Sequence, residues 1–323
     1  MSSLYFSILD IHPMTVSMPI ERIVAIGGTY GPETLCAFEA QDRIVGVLSS
    51  AKQRGELRTF LEDKTVVGTS SFTWNIEKIV EQEPDIVLAY AFRFFPDYEE
   101  QLDAFGVPLV QMDFHAPAKY SKETRNLGWI LNEQERAEEL VNFEQQHIDR
   151  IKERVEDLEP GEKQRVYFEW YKDYQAVGSG TANHNAIVVC GGVNIFEDET
   201  GYPTIDPEAV PARDPQVIIR CCNEKDIFGY DATDTAPLEE KRDGILTRDG
   251  WADIDAITSE RVYLLSTYSH STHTSVFYSY IAKWLHPELF EDIDPVEVHS
   301  DWFEEFLGIE YKGLYAYPSY PVP

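Results

Sequence analysis

One stretch constrains this chain more than any other, the run from Asn132 to about Leu158. Ala137, Leu140, Val141, Ile148, Ile151, Val155 and Leu158 recur at helical spacing, and Glu, Gln, Lys and Arg fill the opposite face. Asn132 followed by Glu135 has the spacing of a capping box, and Pro160–Gly161 ends the run. About 25 residues at ~1.5 Å each make a rod of roughly 37 Å, as long as a small domain is wide. The sequence on either side shows what such a rod joins. Glu77, Glu83, Pro84 and a β-branched run recur as Glu208, Asp214, Pro215 and a second such run. The offset is constant: 208 − 77 = 131 and 215 − 84 = 131. This reads as two similar lobes joined by one rigid helix. Coincidence is the alternative, because helix, acid–Pro and strand often follow one another in α/β chains.

A length of 323 residues with 43% hydrophobic content leaves room for two cores. No apolar run approaches the ~20 residues of a membrane span. The first residues carry neither a basic region nor an apolar one, so no signal peptide is visible. The formal charge of −30 leaves no basic stripe for nucleic acid or anionic lipid. It reads as a solvated acidic surface, as in salt-adapted proteins, or as acidic patches for a basic partner. The four cysteines form no C-x-x-C and are expected to be buried free thiols, with Cys221 and Cys222 following a buried strand. The 18 Tyr, 17 Phe and 6 Trp are more informative, since many fall in predicted loops.

Strands are predicted at 22–26, 44–47, 85–90 and 108–112, with helices between them and a short extended lead-in before residue 21. After the rod, strands follow at 165–170, 217–220 and 261–265. The fold class is therefore α/β: two Rossmann-like lobes with central parallel sheets, joined by one long α-helix. The expected division is a lead-in (1–20), an N-terminal lobe (21–131), the connecting helix (132–160) and a C-terminal lobe (161–323). The glycines at 27, 28 and 31 do not make a dinucleotide fingerprint.

Open parallel sheets bind ligands beyond the carboxyl ends of their strands. That rule puts four loops, 28–32, 90–96, 170–184 and 266–273, around one cleft. The ligand-binding candidates in them are Tyr30, Tyr90, Phe92, Arg93, Trp170, Tyr171, Lys172, Tyr174, Tyr268, His270 and His273, with Phe95 and His184 in the same loops. Aromatic faces with a few cations suit a large, flat or greasy guest, anionic ones included. His270 and His273 can share a metal if they sit on a helical turn; the alternative is hydrogen-bonding surface histidines.

Segments 21–47, 75–87, 135–140, 191–196, 208–218 and 284–290, in that order, resemble the helical-backbone substrate-binding proteins of ABC importers for cobalamin, ferric siderophores and haem. The resemblance covers roughly residues 15–310. It implies two α/β lobes on one long helix and an extracytoplasmic location, with an export signal or anchor absent from this sequence. By motif, it implies that Glu77 and Glu208 pair with arginines of a dimeric permease, one carboxylate per lobe. The alternative is that each carboxylate stabilises its own helix N-terminus. It further implies a non-covalent metal complex as cargo, with no covalent cofactor, and a monomer is expected. Tyr-rich loops with Arg93, Lys172, His270 and His273 favour an iron(III) complex, a siderophore or haem, over a corrinoid. Two departures stand out: Ser71 lies near where cobalamin binders tend to present a Trp, although Phe72 and Trp74 are adjacent, and the 270–273 loop has histidines where other members often carry Arg or Asp. No H-E-x-x-H, G-x-S-x-G or Walker pattern is present, so the expectation is a binder and not an enzyme. The rival classes are a metal-dependent enzyme and a sensor domain on a similar scaffold.

Overall fold

The computed structural model describes residues 3–8, 12–27, 30–91, 95–114, 117–224, 226–267 and 273–320. Four candidates, Phe92, Arg93, Tyr268 and His270, lie outside the described residues. The chain forms two units, residues 1–142 with 304–309, and residues 143–303 with 310–323.

The first unit opens with an antiparallel hairpin, β1 (Ser3–Ile8) and β2 (His12–Ser17), in place of the expected extended lead-in. Its main elements are β3 (Ile23–Ala25), α1 (Tyr30–Ala37), β4 (Ile44–Leu48), α2 (Arg58–Leu61), β5 (Thr65–Ser70), β6 (Thr73–Trp74), α3 (Ile76–Glu81), β7 (Ile86–Tyr90), α4 (Pro96–Asp103), β8 (Leu109–Met112) and α5 (Pro117–Leu131). The sheet order is β6-β5-β4-β3-β7-β8, and every pair is parallel except β5–β6. The helix α6 (Gln134–Val155) follows.

The second unit contains β9 (Gln164–Glu169), α7 (Ala182–Val189), β10 (Gly192–Asn194), α8 (Ala209–Arg213), β11 (Val217–Cys222), α9 (Ala236–Leu246), α10 (Asp255–Thr258), β12 (Val262–Ser266), α11 (Thr274–Leu285), α12 (Pro295–Trp302) and β13 (Ala316–Tyr317). Its order is β10-β9-β11-β12-β13, parallel except for β13. Both sheets bury apolar strands on both faces, as parallel sheets do.

The sequence repeat is visible atom by atom. The acids before the prolines, Glu83 and Asp214, both take left-handed backbone, at φ 46° and 41°. Each gives its carbonyl to the guanidinium of an arginine that precedes or starts the neighbouring strand: Arg22 Nε to Glu83 O at 3.0 Å, and Arg165 Nε to Asp214 O at 2.7 Å. The residue after each proline then pairs with that arginine's backbone. Asp85 Oδ2 accepts from Arg22 N at 2.8 Å, and Gln216 Oε1 from Arg165 N at 3.0 Å. The amides of Asp85 and Gln216 donate in return to Arg22 O and Arg165 O, both at 2.8 Å. Each central strand, β7 or β11, thus enters its sheet through the same device.

The rod departs from expectation in two ways. Asn132 does not cap α6. It has φ 59° and terminates α5, a position Asn tolerates because its short side chain crowds the left-handed backbone little. Gly128 makes the close turn possible, since a Cβ there would lie 2.6 Å from Ala137 Cβ. The division between units falls inside α6, after Asn142, and residues 304–309 return to the first unit. The chain therefore passes between units at three places, where the sequence suggested one.

Candidate functional site

In the first unit, the carboxyl ends of β3, β7 and β8 open on a notch lined by Gly27, Tyr30, Gly31, Leu88, Ala89, Tyr90, Met112 and Phe114. Tyr30 starts α1 and Tyr90 ends β7. Their half-buried rings meet edge to face, with centroids 5.5 Å apart. Phe95 is instead a core residue, 3% exposed and packed on Trp74 at 4.9 Å. Trp74 stacks on Tyr98 at 4.3 Å and donates from Nε1 to Ser71 O at 3.1 Å, while Tyr98 OH donates to Phe72 O at 3.1 Å. These contacts hold the β5–β6 turn in the shape that presents the Phe72 ring, 54% exposed. Below this edge lies a buried ion group. Arg54 Nη2 sits 3.3 Å from Glu33 Oε1, and Arg54 Nε donates to Glu56.

In the second unit, β9 ends at Glu169 and the next two residues carry rings outward. Trp170 stacks on Tyr171 at 4.1 Å and on Tyr202 at 5.0 Å, with both pairs tilted by 28°. The result is a three-ring platform. Lys172 beside it is exposed and makes no ion pair among the described residues. Tyr174 was expected to face the ligand, but its ring is covered: Arg248 lies 4.8 Å above it and Trp251 meets it edge-on at 6.0 Å. His184, half-buried, is tied down by Asn194, whose Nδ2 donates to His184 Nδ1 at 3.2 Å.

Beneath the platform Glu169 is fully buried. Its Oε1 accepts from Tyr167 OH at 3.0 Å, Tyr174 N at 2.7 Å and Arg248 Nη1 at 2.9 Å. Its Oε2 accepts from Arg248 Nη2 at 2.9 Å and lies 2.7 Å from Arg220 Nη1. Burial and the Glu169 charge push the Tyr167 hydroxyl far up, so it stays a donor.

His273 is not on an exposed loop. It is fully buried ahead of α11, with its ring 4.0 Å from Trp302 and 5.1 Å from His299. Packing between rings removes it from any position where it could meet a soluble guest. Among the described residues no group of three or more His, Cys, Asp or Glu is placed to hold a metal ion. A neighbouring acid escaped the sequence reading. Glu144 on α6 is buried and accepts the Ser275 amide of α11 at 2.6 Å. Burial pushes its carboxyl up to about 8, against the pull of the Ser275 bond.

Glu77 lies in the first turn of α3, and Glu208 immediately precedes α8; both are exposed. Neither carboxylate meets a cation among the described residues. Other side chains serve the amides at these two helix starts, that of Lys78 beside Glu77 and that of Glu208 itself. Asn75 Oδ1 accepts from Lys78 N at 2.9 Å, and Asp206 Oδ1 from Glu208 N at 2.9 Å.

Tyr202, Glu169, Arg220 and Arg248 were missed as site residues. Glu169 did leave a signal, a charge inside an otherwise apolar predicted strand, which demands a partner when buried. Tyr202 left only its place in a Gly/Pro-rich loop.

The profile described as periplasmic binding protein matches residues 23–268. The ABC transporter substrate-binding lipoprotein YvrC of Bacillus subtilis (strain 168) is 24% identical over 255 residues, spanning 77% of this chain and 74% of that protein. The vitamin B12-binding protein of Yersinia pestis (strain Pestoides F) is 26% identical over 147 residues, 45% of this chain and 51% of that one. The crystal structure of the TroA-like periplasmic binding protein FepB from Veillonella parvula superposes with a TM-score of 0.79 at 23% identity, covering 94% of this chain and 96% of that one.

Proposed function

Because the chain belongs to the periplasmic binding protein family, we propose that it captures an iron(III) complex, a siderophore or haem, outside the cytoplasmic membrane and delivers it to the permease of an ABC importer. The observation that carries this reading is the Trp170–Tyr171–Tyr202 platform at the carboxyl edge of the second sheet, with the exposed Lys172 beside it making no ion pair among the described residues. Flat rings accept the face of a macrocycle or of chelate rings. An exposed cation beside aromatic rings, on a protein of charge −30, favours an anionic guest. Iron ligation by His273 has no part in this reading, because its imidazole is enclosed.

Delivery uses Glu77 and Glu208. Asn75 and Asp206 already accept the helix-start amides beside them, which leaves both carboxylates available for bidentate pairing with arginines of a permease dimer. Among the described residues no helix is long and apolar enough to cross a membrane.

A corrinoid is the second reading. The similarity to a vitamin B12-binding protein favours it, and the same platform can pack a corrin ring. Titration with ferric siderophores, haemin and cobalamin, followed by tryptophan fluorescence and visible spectra, separates the two. Submicromolar binding of an iron complex is expected. Cobalamin binding with no response to any iron complex would reverse the choice of cargo and leave the family intact.

A further inference from the structure

We propose that Glu169 is a positioning residue for the cargo: acting through Arg220 and Arg248, it fixes the aromatic platform in its binding geometry without touching the guest. The inference rests on the reading of that platform as the cargo site.

Glu169 has no exposed surface, so it cannot contact a ligand. Its contacts lead instead to the loop that carries the platform rings. Its Oε1 holds the Tyr174 amide at 2.7 Å. Arg220, held 2.7 Å from Oε2, donates from Nη2 to Tyr171 O at 2.7 Å. Arg248 grips both carboxylate oxygens at 2.9 Å and covers the Tyr174 and Trp251 rings. The exposed Asp173 meets both guanidiniums more loosely, at 3.4 and 3.2 Å. Within the loop, Trp170 N donates to Gln175 O at 2.7 Å, and Tyr174 is held at φ 59°. The backbone is thus fixed at residues 170, 171, 174 and 175, around the two rings it presents.

A buried ion group of this kind adds little stability over a well-packed apolar one, and its best-attested use is to fix a single arrangement. Here that arrangement is the loop. A platform already ordered before binding saves the guest the cost of ordering it, and the saving appears as affinity. A loop released from Glu169 must be reordered by the guest.

The test compares Glu169→Gln, Trp170→Ala with Tyr171→Ala, and all three changes together, with haemin and cyanocobalamin as probes. Circular dichroism and urea unfolding first establish that each variant is folded at the assay temperature. For whichever probe binds the parent, Glu169→Gln should weaken affinity by roughly tenfold or more. It should also reduce the near-ultraviolet dichroism of the stacked rings in the free protein, a signal that stability alone does not move. In the ring-deleted background Glu169→Gln should add nothing, because the two changes act through one element. If Glu169→Gln does not fold, Arg220→Met, which removes the Tyr171 bond and keeps the Arg248 grip, should show the same loss. Affinity within about twofold of the parent, with the ring-deleted protein weakened, overturns the positioning role. So does an additive triple variant. If deleting the rings leaves affinity unchanged, the platform is not the cargo site, and both readings fall together.

Discussion

Where β7 and β11 begin, the two units use the same parts: a left-handed acid, a proline and an arginine that reads the acid's carbonyl. Where their sheets end, they differ. The first unit sets one guanidinium, Arg54, against two buried carboxylates, Glu33 and Glu56. The second sets two guanidiniums, Arg220 and Arg248, around one buried carboxylate, Glu169, with only the exposed Asp173 added. A strand entry that only seats the strand serves any cargo, so nothing in the guest requires it to change. The carboxyl edge is where the proposed function has the guest met, and there the charges differ, with more positive charge in the unit that carries the aromatic platform.

The largest effect tests whether the units remain equivalent at their exposed acids. Glu77→Arg with Glu208→Arg should abolish transport in a reconstituted permease and leave cargo affinity nearly unchanged. Each single reversal should impair transport on its own. Retained uptake by the double variant, or lost cargo binding, would remove the docking role.

The buried ion groups come next. Arg248→Met and Arg54→Met each leave carboxylate charge buried with less compensation, and each should cost about 3–5 kcal/mol in urea unfolding. A silent Arg54→Met would mean that the first unit's group is no structural counterpart of the second's.

Glu144 sharpens the contrast within the second unit, because it is buried without the guanidiniums that Glu169 has. Its carboxyl, pushed up to about 8 by burial, lies well above the ordinary glutamate value of 4.5. The proton is therefore bound more tightly in the folded protein. The stabilisation it brings is complete below about pH 4.5 and is lost as pH rises through about 8. A loss on the order of 5 kcal/mol is expected across that window, and Glu144→Gln should flatten the slope. An unchanged slope in the variant would assign the pH dependence elsewhere.

The smallest effect concerns the shared strand entry. Arg22→Ala should cost about 1 kcal/mol through its carbonyl bonds. Arg165→Ala should cost somewhat more, since Arg165 also meets Asp214 and Asp255 at 3.0 and 3.3 Å. Equal or reversed costs would show that these side-chain pairs do not contribute.

The repeat was legible because it is written in local chemistry: an acid, a proline and a β-branched strand specify their own backbone. The α/β alternation and both sheets' core strands followed from periodicity in the same way. The platform was half legible. Trp170 and Tyr171 follow a strand and so had to sit at its carboxyl end. Tyr202 joins them from 31 residues further on, through a loop whose path no periodicity records. Tyr174 and Phe95 misled because a loop ring can fold back onto the core, and only the packing partners, Trp251 and Trp74, decide which way it turns. His273 misled for the same reason, since the aromatic cluster that encloses it is contributed by α12. The Asn132 capping box failed because a second helix, α5, ends where the box was to begin. Asn suits that helix end as well as it suits a cap.

The four cysteines are all buried free thiols: Cys36 in α1, Cys190 just after α7, and Cys221 and Cys222 at the end of β11. Burial pushes Cys36 and Cys222 up to about 12, and Cys190 and Cys221 higher as well. The thiolate is the nucleophile, so the folded protein is expected to be silent toward alkylating dyes near neutral pH. A single cysteine introduced at Val188, 51% exposed on α7, would then be the one site that takes a label. Mass spectrometry should count no adducts on the parent, one on Val188→Cys and four on the denatured parent. With that count in hand, a reporter group can be attached at one chosen position without removing any of the native thiols.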